Sequence, residues 1–127
     1  MQNADCKMQN DRQDLSERLL EFGANVVKLT AKLNRAATGR HIANQLMRAA
    51  TSAGANYQEA CAAESKADFV HKMQIVLKEL RESRYWLKLI ERVGVSSDIQ
   101  LTSLLKESDE LVKIFAKSVI TAKGRVR

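Results

Sequence analysis

Apolar residues recur along this chain in steps of three and four, the spacing that gathers side chains onto one side of an α-helix. Leu15, Leu19, Phe22, Val26, Leu29 and Leu33 form the first such stripe. Asp14 stands where it can cap the first turn, Glu17 and Glu21 sit near the positive end of the helix, and Asn34 to Gly39 reads as a polar turn. The second stripe runs through Ile42, Leu46, Ala49, Ala53, Asn56 and Ala60. Small residues follow Leu46, and Ala49, Ala50, Ala53 and Gly54 predict a shallow face on which another helix, of this chain or of a second subunit, packs closely. Ser65 and Asp68 have the spacing of a capping box and place the start of a third helix at about Lys66. Phe69, Met73, Val76, Leu80, Leu87 and Ile90 share its inner face, with Ser83 at one core position, as far as Val93 and Gly94. That helix spans roughly 40 Å. Ser97 and Gln100 form a further capping pair. Leu101, Leu104, Leu105, Ser108, Leu111, Val112, Phe115 and Val119 make the fourth stripe, expected to stop at Gly124.

Four amphipathic segments joined by short turns predict an all-α fold, an antiparallel up-down-up-down four-helix bundle, since a short connection makes neighbouring helices antiparallel. The chain divides into a flexible polar leader (1–13), the bundle (14–123) and a basic tail (124–127). Composition agrees: proline is absent and only 5 glycines interrupt a chain rich in Ala, Leu, Lys, Glu, Gln and Arg, while 127 residues suit one core. No run of eighteen apolar residues occurs and the amino terminus is polar, so a cytoplasmic protein without a membrane segment is expected. Cys6 and Cys61 are too few for a disulfide framework or a CxxC site and are read as free thiols.

Candidate chemistry is sparse. The histidines, His41 and His71, lack the paired Glu-x-x-His motifs of a bundle metal centre, Cys61 has no histidine nearby in sequence and no strained turn presenting it, and the glycines are scattered singly. No catalytic residue, metal, cofactor or small-molecule substrate is therefore expected. Asn56 falls on the apolar stripe with Glu59 one turn on, so both are candidates for a buried polar pair, held by an arginine of helix three, or for a ligand or subunit contact. Arg81, Arg84, Lys88 and Arg92 follow one another at steps of three or four and could track phosphates, although the interleaved Glu79, Glu82 and Glu91 could equally make this a face of ion pairs. After Glu110 come Lys113, Lys117, Lys123, Arg125 and Arg127 without an acidic residue, and the net charge of +6 favours polyanions. Tyr85 and Trp86 stand beside the core stripe, placed either to complete it or to meet a partner.

The stretch Gln45 to Ile90, QLMRAATSAGANYQEACAAESKADFVHKMQIVLKELRESRYWLKLI, resembles the bacterial four-helix-bundle family that includes the 23S rRNA intervening-sequence proteins. The resemblance rests on Gln-Leu-x-Arg-Ala at Gln45 to Ala49, Asn-Tyr-x-Glu-Ala at Asn56 to Ala60, Glu-Ser-Lys-Ala-Asp-Phe at Glu64 to Phe69, and Tyr-Trp-Leu at Tyr85 to Leu87. Relatives include the accessory variability protein of diversity-generating retroelements, which looks like a basic pentamer that works with a reverse transcriptase and binds nucleic acid. The resemblance thus implies a homo-oligomer, a pentamer, and brings no catalytic residue with it.

Two function classes follow. One is a noncatalytic oligomeric scaffold that binds RNA or DNA through Arg81, Arg84, Lys88, Arg92, Lys117, Lys123, Arg125 and Arg127. The other is a protein-interaction module that uses the alanine-rich second helix or the Tyr85 and Trp86 region.

Overall fold

The computed structural model describes residues 14–33, 37–94, 96 and 99–126. Its helices are α1 (Leu15–Leu33), α2 (Ala37–Cys61), α3 (Lys66–Val93) and α4 (Ile99–Val126), and no strand occurs among the described residues. The ends follow local chemistry. At α1, Asp14 Oδ1 accepts the Ser16 N–H at 2.9 Å. At α3, the Ser65 hydroxyl oxygen accepts the Asp68 N–H at 3.0 Å. Gly94 closes α3 with a left-handed φ of 78° while its N–H reaches the Ile90 carbonyl at 3.0 Å, a conformation in which a Cβ would be strained.

The interhelix contacts set the topology. Arg48 of α2 meets Glu82 of α3, and Ser52, one turn later in α2, meets Glu79, so later residues of one helix face earlier residues of the other. In the same sense Gly23 of α1 lies by Ala50 of α2, and Gly54 by Leu19. Arg18 of α1 binds Glu107 and Glu110 of α4, while Gln100 donates to the Asn25 carbonyl at 3.3 Å. Antiparallel pairing of α1 with α2, α2 with α3 and α4 with α1 gives the four-helix bundle its alternating directions.

Two boundaries differ from expectation. α2 begins at Ala37, inside the stretch read as a turn. Gly39 is what permits α2 to lie so close to the end of α1, because a Cβ there would stand 2.2 Å from the Leu33 carbonyl oxygen. α4 runs through Gly124 to Val126, so a glycine with nothing packed against it does not stop the helix and residues 124–126 are helical rather than a separate tail. Ser97, expected as a cap, lies outside the described residues, as does the leader 1–13.

The core follows the four stripes with a one-residue shift at two places in α2, Ala43 for Ile42 and Tyr57 for Asn56. In α2 the buried residues are Ala43, Leu46, Ala49, Ala50, Ala53, Tyr57 and Ala60. Tyr57 therefore takes the core place read for Asn56, since its ring fills space that the surrounding alanines leave open. It is fully buried and meets the Phe115 ring edge-on, with centroids 5.5 Å apart at 88°. Ser83 and Ser108 are buried without penalty, each donating its hydroxyl to a carbonyl of its own helix, Glu79 at 2.8 Å and Leu105 at 2.9 Å. Cys61 corrects its reading as a free thiol, because it is disulfide-bonded. Cys6 lies outside the described residues. No helix of the described residues is long and apolar enough to cross a membrane.

Candidate functional site

The seam between α2 and α3 carries a chain of polar contacts. Asn56 is half-buried, and its Nδ2 donates to the Ser52 carbonyl at 2.9 Å and to the Ser52 hydroxyl at 3.1 Å. Ser52 Oγ in turn donates to Glu79 Oε2 at 3.4 Å. Arg48 completes the chain, with Nη1 3.4 Å from Glu79 Oε1 and Nη2 on Glu82 Oε2. Trp86 Nε1 donates to the same Glu82 oxygen at 3.0 Å, and the edge of its ring faces His41 at 6.0 Å. The Arg48 hydrogen bond, helped by that of Trp86, holds the Glu82 carboxyl below the usual range, and the Glu82 hydrogen bond raises the Arg48 guanidinium. The arginine thus comes from α2 and the acids from α3, the reverse of the pairing considered from sequence. Glu59 is exposed and has no share in this seam, so its reading as a buried group is corrected: it points to the solvent side of α2, away from the turn of Tyr57 and Ala60.

This seam decides the meaning of the basic residues. Glu79 and Glu82, which could have neutralised the α3 cations, are turned toward α2 and held by Arg48. Arg84 is drawn the other way, to Asp109 of α4 at 3.6 Å. Arg81, Lys88 and Arg92 are exposed, and among the described residues none of them has an ion pair. At about 100° per residue, Arg81, Tyr85, Lys88 and Arg92 occupy one outward arc of α3. Tyr85 is 58% exposed in its midst, whereas Trp86 is half-buried on the seam.

The cations expected on the fourth helix do not join this arc. Lys117 and Lys123 are exposed on α4. From Asp109, which lies level with Arg84, they sit about 12 and 21 Å farther along α4. Antiparallel packing sends them toward the start of α3, away from Lys88 and Arg92. Arg125 lies in the last turn of α4, and Arg127 is outside the described residues. Elsewhere Arg18 bridges Glu107 at 2.6 Å and Glu110 at 2.7 Å, the Glu107 bond raising the guanidinium most, in a contact that ties α1 to α4. Among the described residues no three His, Cys, Asp or Glu side chains gather as a metal site.

A second surface feature lies between α1 and α2. Leu19, Leu20, Gly23, Ala24 and Val27 of α1, with Ala50, Gly54 and Ala55 of α2, line an open apolar groove of about 490 Å³. Leu20 is 65% and Val27 43% exposed at its rim. Leu20 and Val27 lay outside the core stripe of α1, and only their joint placement beside the small residues of α2 reveals the groove.

Residues 12–117 match the family described as 23S rRNA-intervening sequence protein. The chain belongs to this family. A solved structure of a protein with unknown function from the S23 ribosomal protein family, from Bacteroides thetaiotaomicron, is 35% identical and superposes with a TM-score of 0.76. The match covers 82% of this chain and 96% of that one. No curated protein matches the chain. The chain thus shares its fold with this S23 ribosomal protein family member, a protein of unknown function.

Proposed function

We propose that this protein binds RNA or DNA as a noncatalytic scaffold, through the outward face of α3. The observation that carries the reading is the division of charge across that helix: Arg48 holds Glu79 and Glu82 on the α2 side, while Arg81, Lys88 and Arg92 on the outer side have no ion pair among the described residues, Glu91 beside them included. Three cations within three turns of one helix make a track for phosphates, and the overall charge of +6 attracts such a ligand from a distance. The likeness to the accessory variability protein of diversity-generating retroelements points the same way. Replacing Arg81, Lys88 and Arg92 together by glutamine is expected to weaken binding of a labelled oligonucleotide at low salt by about tenfold or more, and to flatten its log-log salt slope by about two. Lys117→Gln with Lys123→Gln, at the far end of the bundle, serves as the control. Unchanged binding in the triple variant would remove this surface from consideration.

A second reading, assembly with further copies of this chain, is supported by the apolar groove. A helix of another copy could settle between Leu20 and Val27 over the small residues of α2. Light scattering is expected to give a multiple of the 14.3 kDa chain mass, five-fold for the pentamer implied by resemblance, and Leu20→Glu is expected to lower it. A monomer at all concentrations would end this reading.

A further inference from the structure

Tyr85 is 58% exposed, and it stands among cations that have no ion pair among the described residues. Arg81 is four residues before it, Lys88 three after and Arg92 seven after. These four positions fall within about 60° of arc on α3. A ring left so far in water contributes little to the core, and its placement is not loose. It meets Trp86 edge-on, with centroids 5.2 Å apart at 74°. Trp86 is itself fixed from behind by its hydrogen bond to Glu82 and by the His41 ring. Tyr85 is therefore a braced aromatic surface between phosphate-binding side chains.

We infer that Tyr85 is a stacking platform for an unpaired nucleobase, and that the ligand of this face is single-stranded RNA or DNA whose phosphates meet Arg81, Lys88 and Arg92. The inference rests on the nucleic-acid reading above and specifies its ligand. In a duplex both faces of each base are already covered by neighbours, so an exposed ring gains nothing from it. A single strand offers free base faces, and a cationic groove interleaved with aromatic side chains is the physical arrangement that holds one with little regard to sequence. Stacking on Tyr85 uses the face of the ring and not its hydroxyl, and it does not read the 2′-hydroxyl, so RNA and DNA strands both qualify.

The test uses the full chain and one dodecanucleotide of mixed sequence, made as RNA and as DNA, each alone and annealed to its complement. Anisotropy of a labelled strand at low salt gives the affinities. Emission of Trp86, the single tryptophan of the chain, reports contact beside Tyr85. Both single strands are expected to bind at least tenfold more tightly than their duplexes and to change the Trp86 emission. Tyr85→Ala is expected to weaken single-strand binding roughly five- to hundredfold and to leave duplex binding alone. Tyr85→Phe is expected to keep most of the affinity. Equal binding of single strand and duplex, or a Tyr85→Ala variant that binds single strands like the parent, would overturn the stacking role while the phosphate track, if still dependent on Arg81, Lys88 and Arg92, stands. Failure of the parent protein to bind either form would overturn the nucleic-acid reading itself, and with it this inference.

Discussion

Phe115→Ala is expected to destabilise the protein by about 3–5 kcal/mol, measured as a shift in the midpoint of urea unfolding. Phe115 is fully buried, and its ring packs edge-on against the equally buried Tyr57 ring, tying α4 to α2 across the bundle. Alanine would remove the apolar contacts and the aromatic pair at once and leave a void that two rigid helices close poorly. Against a total stability of about 5–15 kcal/mol for a domain of this kind, such a loss is large. Ile120→Ala, on the same helix but 72% exposed, should cost less than about 0.5 kcal/mol. Similar midpoints for the two variants would show that the Tyr57 and Phe115 pair does not anchor the core.

Tyr57→Phe should act in the other direction. Among the described residues the Tyr57 hydroxyl is a buried polar group with no hydrogen-bond partner. Folding takes it out of water without return, a cost of about 1–3 kcal/mol that phenylalanine does not incur. A gain of about 1 kcal/mol at neutral pH is expected, the ring itself being retained. The same site predicts a pH dependence. Burial, with the Asp14 charge as a smaller contribution, pushes the Tyr57 hydroxyl up to about 12 from the ordinary value of 10.0. Because the folded value is the higher one, stability from keeping this group neutral is present in full below pH 10 and fades as pH rises through about 12. The parent protein should therefore lose up to about 2 kcal/mol relative to Tyr57→Phe between neutral pH and pH 12. Parallel curves for the two proteins across that range would refute the assignment of a buried, ionisable phenol.

The folded arrangement also explains which parts of the surface could be read in advance. Exposed residues of α3 announce themselves by spacing alone, so Arg81, Lys88 and Arg92 could be named from sequence, and with them Arg84. Periodicity gives the angle of a residue around its own helix but not the identity of the neighbour on either side. Whether Glu79 and Glu82 neutralise those cations depends on Arg48, which lies 31 residues before Glu79 in the chain. The same ignorance of neighbours made Arg84 look equivalent to Arg81, though Asp109 holds it. Tyr85 and Trp86 are adjacent in sequence and differ by about 100° around the helix, enough to place one in water and the other on the seam.

By itself, the sequence determined the four helices, because apolar steps of three and four, the absence of proline and the Ser65 cap are local properties that act within a turn or two of their own position. It also determined which face of each helix turns inward, to within about one residue. The tertiary structure alone decided the rest. It chose Tyr57 over Asn56 for the core, because the choice depends on the volume left between α2 and α4. It began α2 at Ala37, because Gly39 can lie against the Leu33 carbonyl where a larger residue could not. It placed Lys117 and Lys123 far from Lys88 and Arg92, because antiparallel packing reverses the order of residues from one helix to the next. Charge and patterning travel with the chain, whereas the pairing of one helix face with another is fixed only when the whole bundle closes.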